Sequence, residues 1–285
     1  MFQDLQQLHA QVLYTQVRVR TDKAGGSGTV VYSKAAGDEY STYVITCHHV
    51  ISEAVTIKKE WDSKIGRERK KEYRQLVKVE FFDFGNAPHG HRPVTHSCDA
   101  DIVAYDAAHD VALLRLRTIR AAQAVATLMT LGNEKVLRIG SPVVAVGCAM
   151  LHDPILTQGI ITHMGDEIDY KRYWMSNAQI IFGNSGGAMF AQISKDEHDE
   201  FEFIGIPSRI DIAGWASPIT HLGYFSPISR VCEFFEEQVY DFLIPGNGKT
   251  ESECAKERET QKKKEVEHLR VVETQSIQEG AEEEE

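Results

Sequence analysis

A serine stands between glycines in the short segment Gly183-Asn184-Ser185-Gly186-Gly187. A serine hydroxyl is a weak nucleophile, and it attacks a carbonyl only when a base removes its proton and N–H groups stabilise the oxyanion. Glycines let the backbone turn tightly and bring amide groups close to the reacting carbonyl. The amides of Gly183 and Ser185 are the natural oxyanion donors, and we assign Gly183 and Asn184 to the predicted oxyanion hole.

Two further residues have side chains and positions suited to activating Ser185. His49 closes a stretch rich in β-branched residues, so a general base stands at the end of a predicted strand. Asp110 directly precedes the apolar run Val111–Leu114, where a carboxylate can hold an imidazole in the required tautomer. The order histidine, aspartate, serine is that of chymotrypsin. From the spacing of the three residues along the chain we expect His49 and Asp110 to lie in one β-barrel and Ser185 in a second.

Each feature taken alone has a simpler explanation, so the prediction depends on their combination. The glycine-rich segment could be an ordinary turn, His49 a packed side chain beside His48, and Asp110 a solvated carboxylate. The same segment also satisfies the G-x-S-x-G pattern of α/β-hydrolases. An esterase of that fold needs its aspartate and histidine after Ser185. It also needs the long crossover helices of a parallel sheet, which the sequence lacks.

The composition describes a globular protein without a membrane span. The 285 residues are 42% hydrophobic and 26% charged, which is ordinary for a soluble domain. No run of about 18 apolar residues, the length that indicates a membrane helix, occurs anywhere. The net charge of −11 argues against nucleic-acid binding, since an acidic protein is repelled by phosphates. We therefore expect neither a membrane nor a nucleic acid as a partner.

The cysteines and the N-terminal segment favour an intracellular protein. The five cysteines are odd in number and lack the spacing of a disulfide framework, so free thiols in a reducing compartment are predicted. Residues 1–20 have neither the basic n-region nor the apolar core of a signal peptide. We expect a cytoplasmic location, and a virus-encoded protein fits the same observations.

The pattern along the chain predicts an all-β fold with short N- and C-terminal helices. Many short runs rich in Val, Ile, Tyr, Phe and Thr are bounded by Gly, Asp, Asn or Pro, which is typical of a sandwich or barrel. We predict one folded unit over 1–245 with two six-stranded antiparallel β-barrels, the first over about 14–120 and the second over about 135–230. Apolar residues at helical spacing predict a C-terminal helix over 228–243.

Two segments outside the predicted barrels are strongly charged. The segment 246–285 has seven basic and twelve acidic residues, and we predict a disordered or transiently helical tail. The insertion 58–74 has eight basic and four acidic residues, which predicts a solvated hairpin or loop. Either segment is a candidate contact for a partner. The sequence leaves open whether the chain forms a homo-oligomer.

In its motifs the chain resembles trypsin-like peptidases of the chymotrypsin fold, and most closely the HtrA/Deg branch, from about residue 2 to residue 235. Each matching string is short, but their joint order is specific. The strings are GSGTVV at 26–31, TCHHV at 46–50, AYD and HDVALL within 104–114, LRIG and VVAVG within 137–147, TQGII at 157–161, GNSGG at 183–187, IGI at 204–206 and GYFSPI at 223–228. The family often continues into a PDZ domain, and here the charged tail takes that place.

The resemblance implies roles for individual residues. In the family's Thr-x-x-His pattern the last position is the base, which selects His49 over His48. Gln179 would lie at the base of the specificity pocket, and a medium apolar or polar side chain is expected before the cleaved bond. Pro207 removes one donor from the strand where a substrate backbone would pair. The other residues implied to bind substrate are Phe182, Ile204, Gly205 and Ile206.

Together these observations predict a serine endopeptidase that hydrolyses peptide bonds of a protein or peptide substrate through an acyl-enzyme. Its catalytic triad would be His49, Asp110 and Ser185. A catalytically inactive relative that keeps the fold as a binding module is the main alternative. No cofactor and no metal are expected. A zinc site would need the nearby residues His89, His91, His96 and Cys98, whose spacing matches no standard pattern.

Overall fold

The computed structural model describes residues 5–62, 67–84, 93–195, 198–214 and 217–264. Strands dominate these residues, as the runs of β-branched and aromatic residues predict. In chain order the strands are β1 (Gln16–Arg20), β2 (Gly25–Ala36), β3 (Glu39–Thr46), β4 (Val55–Asp62), β5 (Arg67–Arg74), β6 (Val77–Asp83), β7 (Val94–Asp106), β8 (Val111–Leu116), β9 (Pro142–Gly147), β10 (Ile155–Ile168), β11 (Lys171–Ser176), β12 (Ala188–Lys195), β13 (His198–Ala213) and β14 (Ser217–Pro227).

The first barrel joins β1, β2, β3, β8, β7 and β6 in that order, and pairing of β1 with β6 closes it. Every neighbouring pair in it is antiparallel. Along β1, Val17 and Val19 are fully buried while Arg20 is exposed. This is the period-two alternation of a strand with one face on a core.

The second barrel joins β10, β11, β14, β13, β12 and β9, and pairing of β9 with β10 closes it. Its core contains the fully buried rings of Phe190, Phe203 and Phe225, and the first two meet edge to face at 6.0 Å. Two six-stranded antiparallel barrels confirm the predicted all-β fold. They exclude the α/β-hydrolase alternative, which needs a parallel sheet with crossover helices.

The helices are short. They are α1 (Leu5–Gln11), α2 (His48–Ile51), α3 (Leu131–Glu134) and α4 (Ile228–Glu237), with 3-10 turns at Leu13–Thr15, Ser52–Ala54, Ala149–Leu151 and Asp241–Leu243. The helix predicted over 228–243 ends earlier, at Glu237, because Val239 has a left-handed φ of +58° that interrupts it. Within the residues that the structure covers, no helix has the length and apolar character to span a bilayer.

The basic insertion forms an antiparallel hairpin of β4 and β5, which is a two-stranded sheet of its own. Its described side chains lie mostly in solvent, including Ile57 and Trp61, which are 60% and 67% exposed. Lys71 pairs with Glu60 across the two strands at 3.4 Å. The insertion is therefore a solvated hairpin, as its composition predicts.

The C-terminal segment contains an ordered helix where the sequence predicts a disordered or transiently helical tail. Residues 251–264 form a helix, α5, which begins with a capping box. Thr250 N–H donates to the Glu253 carboxylate at 2.7 Å, and Glu253 N–H donates to Thr250 Oγ1 at 3.3 Å. Cys254 on this helix is fully buried. The tail is therefore an ordered, packed helix up to residue 264, neither disordered nor transient, and residues 265–285 lie outside the described ones.

Polar and aromatic contacts hold α5 on the first barrel. Glu251 accepts hydrogen bonds from Ser41 Oγ at 2.6 Å and from the Tyr43 hydroxyl at 2.8 Å. Burial, together with Glu251, raises the pKa of Tyr43 above its ordinary value, so the hydroxyl stays a donor. The Arg258 guanidinium lies 3.9 Å from the centre of the Tyr240 ring, in cation–π geometry. The helix thus covers the outside of β3.

Replacing Glu251 with alanine should destabilise the protein by about 1–3 kcal/mol, because the Ser41 and Tyr43 hydroxyls would lose their shared acceptor in a buried place. Urea unfolding measures this change. Glu259→Ala removes an exposed glutamate from the same helix and should change stability by less than about 0.5 kcal/mol. Equal stability of the two variants would contradict the docking of α5.

Candidate active site

His49 lies at the surface on a short helix that follows strand β3. β3 ends at Thr46, Cys47 has extended dihedral angles (φ −80°, ψ 145°), and α2 begins at His48. Thr46 Oγ1 donates to the carbonyl of Ser27 on β2 at 2.7 Å, which ties the strand end to its neighbour. The His49 side chain is half exposed, so its ring is accessible to a substrate.

Asp110 holds the His49 ring in one orientation. One carboxylate oxygen contacts His49 Nδ1 at 2.8 Å, and the other accepts from the His49 main-chain N–H at 2.8 Å. Because a carboxylate accepts, Nδ1 carries the proton and Nε2 is left as an acceptor. Asp110 has a φ of +58°, a left-handed conformation that aspartate tolerates better than most residues.

The neighbouring His48 packs elsewhere. Its ring stacks on Tyr105, with centroids 5.0 Å apart and an interplanar angle of 28°. Burial lowers the pKa of His48, which favours the neutral ring in this packed position. The structure therefore places His49, and not His48, against Asp110.

The loop before Ser185 is a type II turn. Asn184 N–H donates to the Ile181 carbonyl at 3.0 Å, and Gly183 has a φ of +94°, as the third position of such a turn requires. The Asn184 side chain is buried and accepts from Ile181 N–H at 2.9 Å. The main-chain N–H of Asn184 is bound within the turn and cannot donate to an oxyanion, so the predicted place of Asn184 in the oxyanion hole is wrong. Asn184 stabilises the turn instead.

The turn directs the N–H groups of Gly183 and Ser185 away from their neighbours. The Phe182 carbonyl accepts from Met150 N–H at 2.7 Å, and a trans peptide points its N–H opposite to its carbonyl, so Gly183 N–H faces away from Met150. The peptide that ends in Ser185 N–H is fixed in the same way, by a 2.9 Å hydrogen bond from Gly187 N–H to its carbonyl. Among the described residues neither N–H has an acceptor, which leaves both available to an oxyanion.

Backbone strain and close packing surround these amides. Met150 and Leu151 have φ values of +50° and +58°, a conformation that costs about 1–3 kcal/mol for residues of this kind. At Gly183 a Cβ atom would lie 2.6 Å from the Cys148 carbonyl oxygen and 2.7 Å from Met150 N. Only glycine therefore fits there. Segment 148–151 packs directly against residues 183–187, which we call the serine loop.

Backbone contacts place Ser185 beside the strand that delivers His49. The Ser185 carbonyl accepts from Ser27 N–H at 2.9 Å, and Gly186 packs so closely against Thr46 Oγ1 that a Cβ would clash. Within the part of the chain that the structure describes, Ser185 Oγ forms no hydrogen bond with His49. Such hydrogen bonds are often long or poorly aligned until a substrate binds.

A comparison with protein families agrees with this geometry. The family described as "Trypsin-like peptidase domain" matches residues 26–195, which is more than half of the chain. The chain belongs to this family. The matched segment contains His49, Asp110 and Ser185, and the predicted resemblance to trypsin-like peptidases is confirmed. A comparison with curated proteins finds no match.

Solved structures share the fold of this trypsin-like peptidase domain. The serine endoprotease from Yersinia pestis has a TM-score of 0.55 at 20% identity, over 85% of this chain and 68% of that one. The apo MamO protease domain from Magnetospirillum magneticum has a TM-score of 0.54 at 18% identity, over 79% and 98%. Deg5 has a TM-score of 0.52 at 21% identity, over 79% and 89%. At such identities the likeness shows the fold alone.

The residues predicted to bind substrate fall into two groups in the peptidase domain. Phe182 is 55% exposed and Gln179 is also exposed, so both offer surface to a substrate. Ile204, Gly205 and Ile206 are buried on β13 of the second barrel and offer none, which corrects that prediction. An apolar string in a strand marks a core as readily as a pocket wall, and the sequence does not separate the two.

The residues that follow on β13 reach the serine loop instead. The Pro207 carbonyl accepts from Gly186 N–H at 3.0 Å and from Cys47 Sγ at 3.5 Å. Pro207 thus packs against the loop that contains Ser185. The pairing with β14 shifts at Ser208, and Arg209 is exposed. No local motif identifies these residues, since only the fold brings them to the site.

Cys47 lies close to the His49–Asp110 pair in the peptidase domain. Within the described residues, these three offer ligand atoms within 4.8 Å of one another. Two of them belong to the candidate triad, so we assign no metal to this group. Of the residues considered for zinc, His89 and His91 lie outside the described ones.

The thiols should be unreactive in the folded protein. All five cysteines are free. Burial, with a contribution from Asp110, raises the pKa of Cys47 well above its ordinary value. Burial raises the pKa of Cys98 to about 11 and those of Cys148 and Cys232 to about 12. Protons therefore occupy these four sulfurs at neutral pH, and little of the reactive thiolate is present. Cys254 is fully buried and so inaccessible to a reagent.

Iodoacetamide at about pH 7.5 should therefore leave the native protein nearly unmodified, whereas protein unfolded in urea should gain five alkyl groups. Intact-mass spectrometry counts them. Fast alkylation of native Cys47 with loss of activity would instead identify that thiol as a nucleophile beside His49.

Proposed function

We propose that this chain is a serine endopeptidase in which Ser185 attacks the peptide carbonyl, His49 acts as base and acid, and Asp110 orients the histidine. The observation that carries the proposal is the two-point contact between Asp110 and His49, which leaves Nε2 as an acceptor for the proton of Ser185. Membership of the trypsin-like peptidase family supports the same reaction class.

Each step of acyl transfer has a group to perform it in this proposal. His49 Nε2 accepts the Ser185 proton as Oγ bonds to the carbonyl carbon, and Asp110 stabilises the imidazolium. The oxyanion of the tetrahedral intermediate accepts hydrogen bonds from Gly183 and Ser185 N–H. His49 gives its proton to the amine as the C–N bond breaks. A water deprotonated by the same histidine then hydrolyses the acyl ester.

A binding module without activity is the competing function. It is favoured by one observation, that Ser185 Oγ and His49 form no hydrogen bond within the described residues. Against it stand the N–H groups of Gly183 and Ser185, which have no acceptor among the described residues, and the strained backbone of the adjacent Met150 and Leu151. Strained residues cluster at working sites, and an inactive module has no use for an open oxyanion hole.

The proposed substrate is a protein or peptide segment that crosses the surface beside Phe182 and Gln179, whose side chains are exposed. An acidic partner is proposed for the β4–β5 hairpin, because cationic residues such as Lys58, Lys59 and Lys70 lie on it in solvent. A cytoplasmic location is a proposal that rests on the sequence.

Incubation with a denatured protein substrate, followed by mass-spectrometric mapping of the new termini, tests the proposal. We expect cleavage at internal peptide bonds, with a medium apolar or polar side chain preferred at the residue before the cleaved bond. Pretreatment with a fluorophosphonate should stop it. A folded preparation that cleaves neither this substrate nor any member of a peptide library would overturn the proposal and favour the binding module.

A further inference from the structure

Ser27 is a buried polar residue to which the proposed mechanism gives no role. It lies on β2 and is fully inaccessible to solvent. Its hydroxyl donates to the Gly183 carbonyl at 2.6 Å and accepts from Cys148 N–H at 2.6 Å. Gly183 belongs to the serine loop, and Cys148 follows β9. One hydroxyl from the first barrel therefore holds two segments that belong to the second.

The segment that begins at Cys148 sets the direction of the oxyanion amide. Two residues further on, Met150 N–H fixes the Phe182 carbonyl at 2.7 Å, and through the planar peptide it fixes Gly183 N–H. Met150 and Leu151 both have left-handed φ values, which persist only where the surroundings impose them. The hydrogen bond from Cys148 N–H to the Ser27 hydroxyl is part of that restraint.

Ser27 also holds the serine loop directly. Its hydroxyl binds the Gly183 carbonyl and its main-chain N–H binds the Ser185 carbonyl at 2.9 Å. The peptide that directly follows each of the two candidate oxyanion donors is thus anchored to one residue. In the described structure, the Ser27 side chain makes both of its hydrogen bonds to the second barrel and none to its own.

We propose that Ser27 is a positioning residue that keeps the oxyanion hole open. Without its hydroxyl, segment 148–151 can relax and the peptide between Phe182 and Gly183 can rotate, which turns Gly183 N–H away from the substrate. The proposal rests on the proposed peptidase function, because the amide that Ser27 positions would bind the tetrahedral intermediate. The hydroxyl itself touches no reacting atom.

The test compares Ser27→Ala with Thr29→Val in the full-length chain. Thr29 lies two residues further along β2 and is equally buried, and among the described residues its side chain exchanges hydrogen bonds with Gln16 alone. Ser27→Ala should lower kcat about 10²-fold to 10³-fold, the range found when one oxyanion donor is removed, with KM changed by less than about threefold. Thr29→Val should keep kcat within about threefold of wild type.

A second measurement separates positioning from a general structural role. A peptide aldehyde, built on a sequence that the wild-type protein cleaves, adds to Ser185 and places an oxyanion in the hole. The matching peptide alcohol binds without an adduct. Ser27→Ala should weaken aldehyde inhibition at least about 10-fold more than alcohol inhibition. Should Ser27→Ala fail to fold, Ser27→Cys keeps a weak donor and should show a smaller loss of the same kind.

These experiments distinguish failure of the Ser27 proposal from failure of the proposed peptidase function. If wild type neither cleaves peptides nor forms the aldehyde adduct, the peptidase proposal fails. If wild type is active and folded Ser27→Ala matches it in kcat, or loses aldehyde and alcohol affinity equally, the positioning role of Ser27 is wrong while the peptidase proposal stands.

Discussion

Replacing Ser185 with alanine should lower kcat for peptide hydrolysis by about 10⁵-fold to 10⁶-fold, as loss of an activated nucleophile does. The residual rate should exceed that of uncatalysed hydrolysis by about 10³-fold, because the N–H groups of Gly183 and the substituted residue remain. Ser185 Oγ forms no hydrogen bond within the described residues, so the free energy of unfolding should change by less than about 0.5 kcal/mol.

A continuous assay with a cleaved peptide, together with urea unfolding of each variant, measures both quantities. Ser33→Ala is the matched control, since its hydroxyl bonds to Thr42 Oγ1 at 2.9 Å on the first barrel and has no role in the site. Ser33→Ala should retain full activity. More than about 1% of wild-type kcat in pure Ser185→Ala would show that another residue is the nucleophile.

Replacing Asp110 with asparagine should lower kcat by about 10⁴-fold at neutral pH. The carboxylate accepts from both His49 Nδ1 and the His49 main-chain N–H. An amide can keep this geometry only by donating its own N–H to Nδ1, which moves the imidazole proton to Nε2. The ring then has no lone pair for the Ser185 proton, so the base is lost while the fold persists.

The chain offers a close control for this substitution. Asp106 accepts from His109 Nδ1 at 2.6 Å and from His109 N–H at 3.1 Å, the same two-point pattern away from the serine loop. Asp106 also pairs with Arg230, so Asp106→Asn should cost stability and leave kcat within a fewfold of wild type. Loss of kcat in Asp106→Asn but not in Asp110→Asn would overturn the assignment.

His49 and Asp110 could be proposed from the sequence because each stands at the end of a predicted strand, and Ser185 because glycines flank it. A run of β-branched residues ends just before His49, and an apolar run begins just after Asp110. These are local signals, and strands are specified locally to a useful degree. Their order along the chain then decided between folds that share the same glycine-serine motif.

The orientation of the candidate oxyanion donors in the serine loop could not be predicted from local signals of this kind. Its peptides are oriented by Met150 and Ser27, which are distant in sequence and carry no motif for that task. The sequence therefore assigned Asn184 to the hole, although its amide closes the turn. Ile204 and Ile206 were misassigned for a related reason, because burial on one or the other side of a strand depends on the barrel that forms around it.

The helical C-terminal segment had a local signal that composition concealed. Thr250 and Glu253 have the spacing of a capping box, but the surrounding charge favoured disorder. What stabilises the helix is its contact with Ser41 and Tyr43, which only the folded barrel provides. Tertiary packing supplies most helix stability in proteins, so the charge count alone was misleading.

Active-site labelling with a fluorophosphonate tests the central claim most directly. The probe phosphonylates a serine only when a base and an oxyanion hole activate it, and peptide mapping locates the modified residue. We predict one label per chain, at Ser185, absent from Ser185→Ala and nearly absent from His49→Ala. A folded wild-type protein that stays unlabelled, or that is labelled at another residue, would contradict the assignment of His49, Asp110 and Ser185 as a catalytic triad.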